Sequence, residues 1–157
     1  MSEPHQPMNQ SRWHHVGLAV RDLAASIAFY EAMFGFSVRF QAKLADDIAN
    51  ITGETGLTCE LAQLSRDGEM VLELLEFSTS ATSATNDKPI YAGAAHVSFA
   101  VADLDAALGK LEHLGGKRLG EVVVFTEGKS AYCQEPGGSF LELEEFYSEH
   151  EEEHGQS

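Results

Sequence analysis

The chain repeats itself, and that repetition constrains the fold more than any other feature. The segment His15-Val16-Gly17-Leu18-Ala19-Val20-Arg21-Asp22-Leu23 is echoed by His96-Val97-Ser98-Phe99-Ala100-Val101-Ala102-Asp103-Leu104, at a constant offset of 81 residues. The correspondence continues through Ala25 and Ala106, Glu31 and Glu112, and Gly35 and Gly116. Leu72-Glu73-Leu74 also matches Leu141-Glu142-Leu143, at an offset of 69, so the first copy carries about a dozen extra residues in between. The extra length falls most naturally in Gln41 to Leu57, where Asp, Gly and Thr are scattered. A chain of this kind folds as two copies of one supersecondary unit.

Each copy opens with a short strand, 14–20 and 95–101, rich in Val and Phe and ending at a polar Asp. A helix follows, with Asp22 and Asp103 as N-caps. Leu23, Ile27, Tyr30 and Phe34 recur at helical spacing, as do Leu104, Leu108, Leu111 and Leu114. Gly35, and Gly115 or Gly116, supply the left-handed residue that ends a helix. Strands at 36–42, 58–65 and 69–76 complete the first copy, and strands at 117–125, 130–135 and 139–146 the second. The fold class is therefore α+β, in the order strand, helix, strand, strand, strand, taken twice. The domain spans 13–147, with modules at about 13–77 and 93–147 and a linker over 78–92. A disordered polar arm (1–12) and an acidic tail (148–157) flank it.

The strand faces point to a metal. Side chains alternate across a strand. Val16, Leu18 and Val20 share one face, and His15, Gly17 and Ala19 the other. In the second copy Val97, Phe99 and Val101 oppose His96, Ser98 and Ala100. The bulky face packs on the helix, and the other offers one His with only small residues beyond it. Glu73 and Glu142 point away from the leucines that flank them. A carboxylate in a strand centre is costly to bury without a partner, and a cation is one solution. A single His opening a strand is usually structural, and a single Glu in an edge strand is usually solvated. Here both types recur together, in register, in both copies. His15, Glu73, His96 and Glu142 thus form a pseudo-symmetric four-ligand set converging on one divalent ion. Imidazole and carboxylate suit Ni²⁺, Co²⁺, Mn²⁺, Fe²⁺ or Zn²⁺ better than Mg²⁺ or Ca²⁺, which favour all-oxygen sites.

Charge narrows the partners. The net charge is -15, and from Glu142 onward there are seven Glu and no Lys or Arg. Nucleic acid and anionic membranes both need a basic surface, so neither is an expected partner. No apolar run approaches the roughly 20 residues of a membrane span, and Met1 to Arg12 has no apolar signal core, so a cytoplasmic location is expected. Cys59 and Cys133 are too few for a disulfide framework and are read as reduced, half-buried strand residues.

The motifs His14-His15-Val16-Gly17-Leu18-Ala19-Val20-Arg21-Asp22-Leu23, Val71-Leu72-Glu73-Leu74-Leu75-Glu76-Phe77, Ala95-His96-Val97-Ser98-Phe99-Ala100-Val101-Ala102-Asp103-Leu104 and Gln134-Glu135-Pro136-Gly137-Gly138-Ser139-Phe140-Leu141-Glu142-Leu143 together resemble the vicinal oxygen chelate superfamily. That group includes glyoxalase I, methylmalonyl-CoA epimerase, extradiol dioxygenases, fosfomycin-resistance enzymes and bleomycin-binding proteins. The resemblance covers about residues 13–147. It implies two tandem βαβββ modules forming a curved mixed sheet around a metal-binding cleft, with ligands from the first and last strands of each module, and it implies a homodimer. Those ligand positions are His15, Glu73, His96 and Glu142. A two-His, two-Glu set resembles glyoxalase I and, less closely, the epimerase, and both remove a proton next to a carbonyl. In the extradiol dioxygenases the ligands correspond to His15, His96 and Glu142, with no counterpart of Glu73. The sequence departs from bacterial glyoxalase I at Ala19, where an Arg holds the glutathione carboxylate, and at Phe77, where an Asn is common. Both departures speak against glutathione, and the acidic balance against a CoA thioester.

The expected function is a metal-dependent isomerase or lyase acting on a small 2-oxo or 2-hydroxy substrate. Glu142 serves as ligand and base, and Glu73 as ligand and second acid/base. The alternatives are an Fe(II) extradiol-type dioxygenase and a metal-free small-molecule or drug-binding protein. Arg39 and Tyr132 are secondary candidates for substrate contact, with a surface charge and a packed aromatic as the plainer readings. Gln41–Leu57 forms either a lid, with a short amphipathic helix at Leu44, Ile48 and Ile51, or an ordinary surface loop. His150-Glu151-Glu152-Glu153-His154 matches the zinc-protease pattern H-E-x-x-H but lies in a run of Glu with no apolar face to bury, so it reads as solvated tail. His14 reads as a structural residue facing away from His15, and His5 and His113 carry no partner signal.

Overall fold

The computed structural model describes residues 11–68, 70–79 and 88–147. The acidic tail with its H-E-x-x-H pattern, most of the N-terminal arm and the middle of the linker lie outside the described residues. The elements run β1 (Val16–Ala19), α1 (Leu23–Phe34), β2 (Ser37–Leu44), α2 (Asp46–Thr52), β3 (Cys59–Arg66), β4 (Met70–Phe77), β5 (His96–Ala100), α3 (Leu104–His113), β6 (Lys117–Arg118), β7 (Val123–Val124), β8 (Gly128–Gln134) and β9 (Phe140–Phe146). The two-fold repeat of strand, helix and three strands is present. The differences are local. Gln41 to Leu44 continue β2, so the extra residues of the first copy reduce to α2 and its flanking turns. The strand expected at 117–125 is split into β6 and β7.

The strands form two sheets, ordered β1-β4-β3-β2 and β5-β9-β8-β6, with β7 also paired to β8. In each, the opening strand lies parallel to the last strand of its module, and the other pairings are antiparallel. The parallel pair follows from the helix, which crosses over the sheet and returns the chain in the same direction.

The helices start as their sequences dictate. The Asp22 carboxylate accepts the Ala25 N–H at 2.9 Å, and Asp103 accepts the Ala106 N–H at 2.9 Å. Each helix start receives a second carboxylate from the last strand of its own module. Glu76 Oε2 accepts the Leu23 N–H at 2.7 Å, and Glu145 Oε2 accepts the Leu104 N–H at 2.7 Å. An anion there satisfies an orphan donor and complements the helix dipole. Gly35 ends α1 in the left-handed region, with φ 73°.

One core serves both modules. Leu18, Val20, Leu64, Leu72 and Leu74 of the first sheet join Phe99, Cys133, Leu141 and Leu143 of the second in a single buried cluster, with α1 and α3 contributing Phe29, Tyr30, Leu104, Leu108 and Leu111. The ring of Phe34 stacks on Phe99 with centroids 3.8 Å apart. The two sheets thus turn their bulky faces towards each other, with the helices packed between them. Their other faces lie on the outside of the molecule.

The turn joining β8 to β9 locks the modules together. Glu135 is buried, at 2 % exposure, and is fully engaged. Its Oε1 accepts from the hydroxyls of Ser26 and Ser139, both at 2.7 Å, and from the Ser139 N–H at 2.8 Å. Its Oε2 accepts the Gly137 N–H at 2.5 Å. The Tyr30 hydroxyl meets Ser139 Oγ at 2.8 Å. Gly137 O accepts from the N–H groups of Arg21 and Asp22, at 2.8 and 3.3 Å. A buried carboxylate is tolerated because its oxygens are met by several donors. Among the described residues no helix is long and apolar enough to cross a membrane.

Both cysteines are free and fully buried rather than half-buried. Cys133 faces the core, where burial pushes its thiol up to about 11. Cys59 lies on the outer face but is covered by Ile48 of α2, and burial, with Glu73, Glu76 and Glu60 nearby, raises its thiol too. Neither is a thiolate nucleophile at neutral pH.

Candidate functional site

Register places the four expected ligands on the outer faces. Gly17 of β1 pairs with Glu73 of β4, so His15, two residues before Gly17, lies beside Glu73. Ser98 of β5 pairs with Glu142 of β9, so His96 lies beside Glu142 in the same way. His15 Nε2 stands 3.6 Å from Glu73 Oε1, and His96 Nε2 stands 3.2 Å from Glu142 Oε2. All four side chains are partly shielded, from 15 % exposed at Glu73 to 36 % at His15.

The structure brings the four residues together as two pairs and not as one quartet. Among the described residues no three His, Cys, Asp or Glu side chains gather closely enough to hold one ion. The cause is the shared core: the sheets face inward with their leucines, so the outward pairs cannot meet within one chain.

Each pair is held from behind. The Gln63 amide donates to Glu73 Oε2 at 2.7 Å, leaving Oε1 towards His15. The Ser130 hydroxyl donates to Glu142 Oε1 at 2.5 Å, leaving Oε2 towards His96. Gln63 and Ser130 both sit on the strand antiparallel to the ligand-bearing one, on the outer face. The His14 and His15 rings meet edge-on, Nδ1 to Nδ1 at 2.8 Å. His14 therefore does not turn away from His15. The alternation that would separate them starts only at Val16, where β1 begins. This contact engages His15 Nδ1 and leaves its Nε2 towards Glu73. The donor chemistry, one imidazole nitrogen and one carboxylate oxygen per pair with neutral support behind, fits half of a four-ligand divalent site.

The two outer faces differ around these pairs. Beyond Glu73 the first is apolar, and Ile48 of α2 covers Cys59 and Leu61. The segment expected as lid or loop thus packs down on the sheet. Beside Glu142 the second face is open, with a cavity of about 430 Å³ bordered by Ser130, Tyr132 and Glu142. Tyr132 pairs directly with Glu142, and its ring packs on His96 with centroids 4.8 Å apart. It is therefore on the site face, a placement that only the strand register decides. Arg39 is the extra residue at a β-bulge between Val38 and Phe40 and is exposed. Sequence reasoning missed Gln63 and Ser130. It also missed Glu76 and Glu145, which recur at the same 69-residue offset as the ligand glutamates.

Two βαβββ modules carrying paired imidazole and carboxylate groups on their first and last strands define a recognisable class. Residues 12–143 match the Glyoxalase/Bleomycin resistance protein/Dioxygenase superfamily, and the chain belongs to it. The uncharacterized protein YwbC of Bacillus subtilis is 30% identical over 136 residues, which cover 84% of this chain and 95% of that protein. A glyoxalase family protein from Bacillus cereus superposes with a TM-score of 0.72 at 24% identity, over 93% of this chain and 99% of that one. A fosfomycin resistance protein from Listeria monocytogenes shares the fold with a TM-score of 0.58 at 17% identity, over 85% and 89% of the two chains. That structure is of a mutant form, in complex with Mn(II) and 1S,2S-dihydroxypropylphosphonic acid.

Proposed function

We propose that the protein is a divalent-metal-dependent isomerase or lyase that removes a proton next to a carbonyl of a small 2-oxo or 2-hydroxy compound. The observation that carries this is the recurrence of one imidazole–carboxylate pair, in the same register, on the outer face of each module. A single chain presents the halves on separate outer faces. A second copy related by a two-fold axis would set the His15–Glu73 face of one against the His96–Glu142 face of the other. A two-fold interface does this twice, giving two equivalent four-ligand sites.

When bound, a divalent ion supplies Lewis acidity towards a carbonyl oxygen. The chain's own groups do the rest. Glu142 is the better placed base, because the open cavity adjoins it. Ser130 holds Glu142 Oε1, so the proton is accepted at Oε2, on the side facing His96. Tyr132 packs on the His96 ring and keeps its Nε2 turned to that carboxylate. Glu73, held by Gln63, serves as ligand and second acid/base from the opposing half.

Elemental analysis of untagged protein, beside light scattering, tests this reading. The expected result is about one transition-metal ion per chain, in a particle of twice the 17.1 kDa chain mass. His15→Ala and His96→Ala should each lose the ion, since each ruptures every site. A parent that takes up no Ni²⁺, Mn²⁺ or Fe²⁺ would sink the metal-dependent mechanism.

A further inference from the structure

The cavity beside Glu142 has a lining that selects its occupant. Ile90, Leu119, Val123, Phe125 and Tyr132 form its apolar wall. Four of them are open to solvent: Ile90 is 68 % exposed, Val123 48 %, Phe125 55 % and Tyr132 40 %. Apolar side chains gathered around one hollow of this size are a ligand-binding surface rather than scattered surface residues. The charged lining is two carboxylates, Glu121 and Glu142, against one cation, Lys88. A terminal phosphate or carboxylate placed here would meet net negative charge, inside a protein already at -15.

We infer that this cavity receives an uncharged, flat apolar substituent of the substrate, aromatic by preference, carried on the carbon that Glu142 deprotonates. The inference rests on the reading of Glu142 as base and adds the substrate class. Phe125 and Tyr132 supply ring faces for stacking or edge contact with an aromatic group. Tyr132 joins the two functions, since the same ring packs on His96 and walls the cavity. In the opposite half Leu61 and Cys59, on the outer face of β3, lie beneath Ile48, and the hollow there is lined instead by Thr52, Glu54, Leu57 and Phe77.

Two titrations separate this inference from the metal mechanism. In the first, benzyl alcohol is added to metal-free protein and followed by amide chemical shifts. Shifts concentrated between residues 119 and 132, and lost in Val123→Asp, are expected. Absence of shifts there, whether because the hollow takes no aromatic group or because a second copy fills it, overturns the inference. In the second, Zn²⁺-loaded protein is titrated with mandelate, lactate and malate, which share the 2-hydroxy acid head. Mandelate should bind at least about tenfold more tightly than lactate, the discrimination expected of an apolar pocket for added carbon. Malate, with its second carboxylate, should bind no better than lactate. Equal affinities, or a preference for malate, overturn the inference. A protein that takes up no metal but still shows the benzyl alcohol shifts, lost in Val123→Asp, refutes the mechanism and leaves the cavity assignment standing.

Discussion

Gly137→Ala should destabilise the protein by about 3 kcal/mol or more, a loss of roughly 10 °C in Tm. A Cβ at this position would overlap Ser26 Oγ and lie 2.6 Å from Asp22 O and 2.7 Å from Ser26 N. The hydroxyl alone could rotate away. The two backbone atoms cannot, because they belong to the first turn of α1, which Asp22 caps. Relief requires the β8–β9 turn to back away from the helix. That movement breaks the bonds from Arg21 and Asp22 to Gly137 O and pulls Glu135 from Ser26. A buried carboxylate stripped of a donor adds its own cost. Urea unfolding with both variants in one buffer measures the effect. The control is Gly138→Ala, where the nearest atom is 3.6 Å away and only the φ of 111° is unfavourable. It should cost about 1 kcal/mol. A Gly137→Ala protein as stable as the parent would mean that the modules do not meet at this turn.

The second large effect concerns catalysis. Glu142→Gln should lower the rate of proton exchange at the carbon next to the carbonyl by about 10³-fold, within the range attributed to a positioned general base. Glu73→Gln should lower it as well, because Glu73 is read as ligand and second acid/base. Deuterium incorporation from D₂O, followed by NMR on a panel of 2-oxo and 2-hydroxy acids, reads this directly. The Glu73 variant discriminates between mechanisms. A ring-cleaving dioxygenase using His15, His96 and Glu142 would keep its activity without Glu73. An unchanged exchange rate in Glu73→Gln would remove Glu73 from the proton transfer, whereas oxygen-dependent ring cleavage that survives the same substitution would move the protein to oxygen chemistry. Metal content must be measured on each variant, so that loss of the ion and loss of the base are not confused.

Much of the fold was legible because local rules and the repeat agree. Asp22 and Asp103 announce the helices, and Gly35 closes the first. The alternation of Val16, Leu18 and Val20 against His15, Gly17 and Ala19 gives the buried face. The recurrence of a His and a Glu at equivalent places in the two copies was legible, but their pairing within each module depends on β1 lying beside β4 and β5 beside β9. What remained hidden depends on how finished elements meet. Periodicity says that Leu18 and Phe99 point into a core, but not that they enter the same one. That single fact puts the two imidazole–carboxylate pairs on outward faces. Tyr132 could not be assigned to a face until its pairing with Glu142 was known. The break between β6 and β7 arises where the chain turns through Leu119 and Gly120, with Leu119 N–H still bonded to Tyr132 O at 2.9 Å. His14 misled because alternation was extended past the end of a strand.

The back-to-back sheets carry a consequence for mixed populations. If each site takes one half from each of two copies, defects in different halves complement one another. Pure His15→Ala dimers have no intact site, and neither do pure His96→Ala dimers. A mixed pair has one site that joins the sound His15 of one copy to the sound His96 of the other, while both defects collect in its second site. Unfolding the two inactive variants together and refolding them should restore roughly a quarter of the parental metal content and activity, by random assortment into two-fold pairs. Refolding either variant alone should restore none.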